Sequence, residues 1–246
     1  MNAHSPLPRP LAPGALPSGP IVVFDLDGTL AETAGDLIGT LNVILAREGH
    51  AALPLEQARD LLGAGARALI QRGFAVAGAS LTPERLETLF QDFLAYYGDH
   101  LTDHSHLFPG VVEALDRLEA EGFRLAICTN KVESHAVALL DALGIGHRFR
   151  TIVGKDTFAF SKPDPRHITA TIERAGGDPA RAVMVGDSKA DVAAAQAAGI
   201  PVVGVTFGYT PVPMRDLAPD GVIEHFDELP AAVAALVPLA TVKPAA

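Results

Sequence analysis

The stretch Ile21-Val22-Val23-Phe24-Asp25-Leu26-Asp27-Gly28-Thr29-Leu30 sets an apolar run directly against two aspartates and a glycine. Ile21–Phe24 reads as a buried strand, and Asp25 falls where that strand ends. Burying charge is costly unless the charges are paired, hydrogen-bonded or bound to metal. Two carboxylates separated by one leucine at the mouth of the core therefore need something to meet them.

Downstream of Phe108 the chain alternates. Helical spacing covers Val111–Glu121, Glu133–Leu143, Arg166–Ala175 and Ala190–Ala198, and short apolar runs mark strands at Phe123–Cys128, Thr151–Val153, Ala182–Val185 and Val202–Val205. Alternation of this kind implies right-handed crossovers and a parallel sheet covered on both faces, a Rossmann-like α/β core. Residues 35–105 interrupt it. Apolar side chains recur at helical spacing along Asp36–His50 (Leu37, Ile38, Leu41, Ile44, Leu45) and along Pro54–Gly73 (Ala58, Leu61, Leu62, Leu69, Ile70). A third helix opens at Thr82-Pro83-Glu84, with Thr82 as N-cap and Pro83 in the first position. A stretch this long without a strand signal reads as an inserted helical cap, with 21–34 and 106–246 forming the core. Met1–Pro20 is proline-rich without a continuous apolar segment and reads as a disordered tail.

In open parallel sheets ligands lie beyond the carboxyl ends of the strands, so the residues that follow each strand matter most. The first strand ends in Asp25-Leu26-Asp27-Gly28-Thr29 and the second in Thr129-Asn130-Lys131. The fourth ends in Gly186-Asp187-Ser188, with Asp191 one helical turn on. Ser161-Lys162-Pro163-Asp164-Pro165 puts a lysine at a turn before a helix. Carboxylates, a hydroxyl and an ammonium converging on one edge suit phosphoryl transfer: carboxylates hold Mg²⁺, while the cation, hydroxyl and backbone amides hold phosphate oxygens.

The ordered set DxDGT, T, K and GDxxxD resembles the motifs of the haloacid dehalogenase superfamily of hydrolases, from Ile21 to the C-terminal helix. Within it, FDLDGTL, CTNK, SKPDP and GDSKADV are most similar to phosphoglycolate phosphatase-like enzymes. The resemblance implies that Asp25 is a nucleophile forming an aspartyl-phosphate and that Asp27 is the acid and base. It implies Mg²⁺ held by Asp25, the Asp27 carbonyl and Asp187, with Asp191 and Ser188 orienting groups behind them. Thr129 would donate to a phosphoryl oxygen, and Lys162 would offset the negative charge that phosphate and nucleophile bring together. Gly28, Thr29, Asn130 and Lys131 are expected around the substrate. Arg67, beside Gly63 and Gly65 in the cap, is the expected guanidinium for a substrate carboxylate, with Arg47, Arg59, Arg72 and Lys131 as competitors. Glu32 stands where many relatives carry aspartate and Gly35 where they carry proline, at the hinge.

Composition bounds what the chain can be. With 246 residues and 48% hydrophobic content it buries a sizeable core, and a net charge of −10 without a basic patch argues against a nucleic-acid partner. No apolar stretch reaches membrane-spanning length, and the lone Cys128 forms no internal disulfide. A cytoplasmic enzyme or binding protein fits these features; the resemblance implies a small phosphorylated metabolite as its partner, with the chain a monomer or homodimer. Asp27 argues against halide displacement, and the absence of lysine between Thr29 and Lys131 argues against a Schiff-base phosphonatase. A sugar-phosphate phosphatase or mutase shares the motifs. A phospho-aspartate receiver switch uses similar groups, but it is half this length and has no cap. His100, His104 and His106, with Asp99 and Asp103, lie on a linker and read as the return hinge rather than a metal site. By resemblance, 2-phosphoglycolate is the expected substrate.

Overall fold

The computed structural model describes residues 19–237. Strand β1 (Gly19–Phe24) leads through a two-residue strand β2 (Ala31–Glu32) into four helices, α1 (Ala34–Arg47), α2 (Leu55–Ala58), α3 (Ala66–Val76) and α4 (Pro83–Asp99). The chain returns through β3 (His106–Leu107) and then alternates: α5 (Val111–Ala120), β4 (Arg124–Cys128), α6 (Glu133–Ala142), β5 (Phe149–Val153), α7 (Pro165–Arg174), β6 (Gly177–Gly186), α8 (Lys189–Ala198), β7 (Val202–Val205), β8 (Gly221–Ile223) and α9 (Leu229–Leu236). The main sheet runs β5-β4-β1-β6-β7-β8, and every pairing in it is parallel.

Side-chain alternation along β1 sorts the helices. Val22 and Phe24 face a cluster with Leu115 and Leu118 of α5, Leu139 and Leu140 of α6 and Val233 of α9. Ile21 and Val23 face Ile168 and Ile172 of α7 and Val192 and Ala195 of α8. A strand flanked on both faces must be apolar throughout, which is why Ile21–Phe24 shows no polar alternation. The α/β architecture with an inserted helical cap is the one the sequence implies.

Local differences have local causes. Of the expected tail, Gly19 and Pro20 open β1, with Gly19 pairing to Gly177, and the remainder lies outside the described residues. The pattern over Pro54–Gly73 divides at its two glycines, a break between helices that glycines within a helical pattern favour. Gly63 and Gly65 both adopt positive φ, 85° and 83°, which ends one helical segment and lets Gly65 cap α3. The β2–β3 ribbon (Ala31↔Leu107, Glu32↔His106) and β8 went unforeseen, being too short to show a period. Thr82 does cap α4, its hydroxyl accepting the Arg85 N–H at 3.2 Å.

The cap has its own core, built from Ile38, Leu41 and Leu45 of α1, Leu69, Ile70 and Phe74 of α3 and Phe90 and Phe93 of α4. Leu41 packs onto bare backbone at Gly73, where a β-carbon would lie 2.7 Å from its Cδ2. Fully buried Leu41 therefore sets the α1–α3 approach. Leu41→Ala is expected to lower stability by about 2–5 kcal/mol in urea denaturation, through lost transfer energy plus a cavity.

Candidate active site

The carboxyl ends of β1, β4 and β6 bring the candidate residues to one edge. Asp25 follows β1, and its N–H donates to the Val185 carbonyl at 2.9 Å, so the neighbouring strand holds its backbone. Lys162 reaches the edge from the loop before α7. Its ammonium lies 2.6 Å from Asp191 Oδ1 and 3.0 Å from Asp25 Oδ1, with all three side chains almost wholly shielded from solvent. Burial opposes the charge on Lys162, but Asp191 and then Asp25 outweigh it, and its pKa is held above the ordinary lysine value.

The carboxylates show the opposite balance. Burial pushes Asp25 up to about 6 although Lys162 pulls it down, and burial followed by repulsion from Asp25 and Asp191 raises Asp187 well above the usual range. Oxygens of Asp25, Asp187 and Asp191 lie within 4.8 Å of one another. One ammonium does not neutralise three buried carboxylates, and Asp25 Oδ1 makes no hydrogen bond with any described residue despite its nearness to Lys162. A hard cation among these oxygens removes both deficits. Asp191 is the least free to bind it: Oδ1 takes Lys162, while Oδ2 takes the Ser188 N–H at 2.9 Å and the Ser188 hydroxyl at 2.6 Å in a capping box that starts α8. Asp25 and Asp187 are therefore the better ligands.

Asp187 is braced by two donors. The Thr29 hydroxyl donates to Oδ1 at 3.1 Å, and the Tyr209 N–H donates to Oδ2 at 2.8 Å. Thr29, expected beside the substrate, is fully buried and spends its hydroxyl on this carboxylate. Gly28 fits here because its φ is +82° and a β-carbon would lie 2.5 Å from Asp187 Oδ2.

Asp27 points the other way, into a cavity of about 300 Å³ between core and cap. Thr33 Oγ1 donates to its Oδ1 at 2.8 Å, and Lys131 Nζ donates to both its oxygens at 2.8 and 3.1 Å. The same ammonium donates to the Tyr97 hydroxyl of α4 at 2.7 Å. Lys131, expected at the substrate, thus ties Asp27 to the cap. Thr129 and Asn130 line the cavity as well; the Asn130 amide donates to the Lys162 carbonyl at 3.0 Å, and its buried Oδ1 has no partner among the described residues. Arg67, expected to meet a substrate carboxylate, also lines the cavity. It makes two bonds to Glu87, at 3.0 and 3.2 Å, and lies 3.5 Å over the Phe90 ring.

Tyr209 and Lys155 are among the cavity-lining residues that escaped the sequence reading, and both follow strands. Tyr209 lies beyond β7, and its hydroxyl accepts the Thr33 N–H at 2.6 Å and the Ala34 N–H at 3.0 Å while donating to Glu32 Oε1 at 2.7 Å. Glu32 also pairs with Arg59 of the cap. One tyrosine therefore links the Asp187 carboxylate to the outgoing hinge. The return hinge is held by Asp36, which accepts the backbone N–H groups of His104 and Ser105 at 2.9 Å each. Gly35 permits this closeness, since a β-carbon there would lie 2.9 Å from His104 Cβ. Lys155 lies beyond β5 and lines the cavity as well.

A parallel α/β core, a helical insert after its first strand and buried carboxylates at the carboxyl edge define an α/β enzyme. The chain belongs to the haloacid dehalogenase-like hydrolase family, whose model matches residues 22–205. It is 50% identical over 212 residues to a phosphoglycolate phosphatase of Mesorhizobium japonicum, covering 86% of this chain and 93% of that protein. A phosphoglycolate phosphatase of Agrobacterium fabrum is 47% identical over 213 residues, covering 87% and 91%. A crystal structure described as a predicted phosphoglycolate phosphatase from Haemophilus somnus 129pt superposes with a TM-score of 0.81 at 32% identity, covering 88% of this chain and 99% of that one.

Removing the Tyr209 hydroxyl strands the buried Thr33 N–H, which has no other acceptor among the described groups. Tyr209→Phe is expected to cost about 1–3 kcal/mol in chemical denaturation, because an unpaired buried donor loses its full desolvation energy.

Proposed function

We propose that the protein is a Mg²⁺-dependent phosphatase that hydrolyses a small phosphate monoester, 2-phosphoglycolate, through an aspartyl-phosphate. The observation that carries this reading is Asp25, a buried carboxylate facing the cavity, with one oxygen free of hydrogen bonds and Lys162 at 3.0 Å. Membership of the hydrolase family and the names of the relatives support it.

In this mechanism an Asp25 oxygen attacks phosphorus, an acyl-phosphate bond forms, and the ester P–O bond breaks. Asp27 gives its proton to the leaving alkoxide. It then takes one from a water that attacks the same phosphorus, releasing phosphate and restoring the Asp25 carboxylate. Lys131 and Thr33 fix the orientation of Asp27, and Lys131 also links it to the cap through Tyr97. Lys162 offsets charge on the nucleophile and the phosphoryl group, and the hydroxyl of Thr129, which lines the cavity, donates to a phosphoryl oxygen. Asp25, the Asp27 carbonyl and Asp187 would hold Mg²⁺, which when bound supplies positive charge that draws the anionic phosphate to the anionic nucleophile. The all-oxygen donor set and the uncompensated carboxylates fit such an ion. The helices over the cavity exclude water from the reacting groups. Among the described residues no helix is long and apolar enough to cross a membrane.

Asp25→Asn should fold, with unchanged circular dichroism, and show no turnover of 2-phosphoglycolate, because an amide does not form the acyl-phosphate. A variant retaining a substantial fraction of wild-type kcat would remove Asp25 from its role.

Magnesium should raise the melting temperature of the wild-type protein by mass action. Asp187→Asn replaces a buried, repelled carboxylate with an amide, so the metal-free variant is expected to melt no lower than metal-free wild type. It should lose the Mg²⁺-induced rise, as differential scanning calorimetry with and without chelator will show. A full Mg²⁺ response in the variant would place the ion elsewhere.

A further inference from the structure

Proposed phosphate chemistry accounts for one end of the cavity and leaves two cations at its rim, Arg67 and Lys155. Their situations differ. Arg67 is committed to Glu87 through two hydrogen bonds and to the face of Phe90. Using it for substrate would break a two-point ion pair. Lys155 is half-buried, yet its ammonium makes no hydrogen bond or ion pair with any described residue. The carboxylate next to it in sequence, Asp156, accepts the Glu133 N–H at 2.8 Å.

The base of Lys155 is fixed. Its N–H donates to the Lys131 carbonyl at 2.8 Å, joining it to the loop that carries Thr129, Asn130 and Lys131. Its tip reaches the seam between core and cap: a β-carbon at Gly65 would lie 3.8 Å from Lys155 Nζ and 3.7 Å from the Asn130 carbonyl. Burial, followed by the charge on Arg67, pushes the Lys155 pKa below its ordinary value. Two cations thus face a cavity with no anion set against Lys155, an arrangement that a ligand anion would relieve. The other cavity lysine, Lys131, is held by Asp27 and Tyr97.

We infer that Lys155 is a specificity-determining residue, its ammonium receiving a second anionic group, a carboxylate, on the phosphate ester bound at Asp25. The inference rests on the proposed phosphatase reading and names the residue that selects within it. Lys155 belongs to the α/β core, so the subsite is half-built before the cap contributes. Arg67 then acts as a flanking charge, not as the ligand.

The test compares 2-phosphoglycolate with 2-hydroxyethyl phosphate, which has a neutral hydroxymethyl group in place of the carboxylate. In Lys155→Met the ratio of kcat/KM for the first over the second should fall at least about tenfold, chiefly through KM. Lys155→Arg should recover most of the ratio, and Arg67→Met should move it less than Lys155→Met does. An unchanged ratio in Lys155→Met, or a larger fall in Arg67→Met, overturns the assignment. Binding separates this outcome from failure of the phosphatase reading. Calorimetry on Asp25→Asn and on Asp25→Asn with Lys155→Met needs no turnover, and the second protein should lose at least about tenfold more affinity for 2-phosphoglycolate than for inorganic phosphate. Equal losses for both ligands overturn the role of Lys155. Absence of turnover by wild type, with this difference intact, overturns only the phosphatase reading.

Discussion

The carboxyl edge of the sheet depends on one buried ammonium. Lys162 sits between Asp25 and Asp191 with almost no solvent access, where a charge is tolerated only if its partners are close and themselves satisfied. Asp191 meets that condition completely, since its second oxygen is taken by the backbone and hydroxyl of Ser188. Asp25 does not, and the difference gives the two carboxylates different work. The saturated one holds the lysine in place, and the other keeps an oxygen without a hydrogen bond among the described residues. The polar network is complete on one side and open on the other.

A second constraint couples this edge to the helical cap. Asp27 shares Lys131 with Tyr97 of α4, while Asp187 shares Tyr209 with the backbone of the outgoing hinge. Each link is made of short, buried hydrogen bonds that a moving cap would have to break or carry along. The hinge residues are small or acidic for a steric and electrostatic reason. Gly35 lets the outgoing and returning segments pass closely, and Asp36 uses one carboxylate to satisfy two backbone donors on the returning segment. His104 contributes backbone there, and His100 pairs with Asp103 at 2.7 Å.

The buried polar groups elsewhere show the same economy. His167 and Cys128 lie beneath the edge, with the imidazole between the Cys128 sulfur and the Gly154 carbonyl. Burial and then Lys162 push the His167 pKa down to about 4, and burial pushes the Cys128 thiol up to about 12. Both are therefore neutral at physiological pH, and the layer under Lys162 adds no charge to a site that already holds too many carboxylates.

Some of this was determined by the sequence alone. Strand–helix alternation and two-faced apolar runs fixed the parallel sheet, because a strand covered on both sides admits no polar residue. The rule that ligands lie beyond carboxyl ends of strands then selected Asp25, Asp27, Thr129 and Asp187 as candidates, because strand direction alone decides which residues share an edge. What each side chain touches was decided only by the tertiary structure. Thr29 turns to Asp187, Lys131 bridges Asp27 to Tyr97 of the cap, and Arg67 is captured by Glu87. Tyr209 and Lys155 follow strands as the others do, yet no motif marks them. Hydrogen-bond partners and charge neighbours are set by contacts between residues distant in the chain, and a one-dimensional pattern carries the spacing of an element but not the identity of what packs against it.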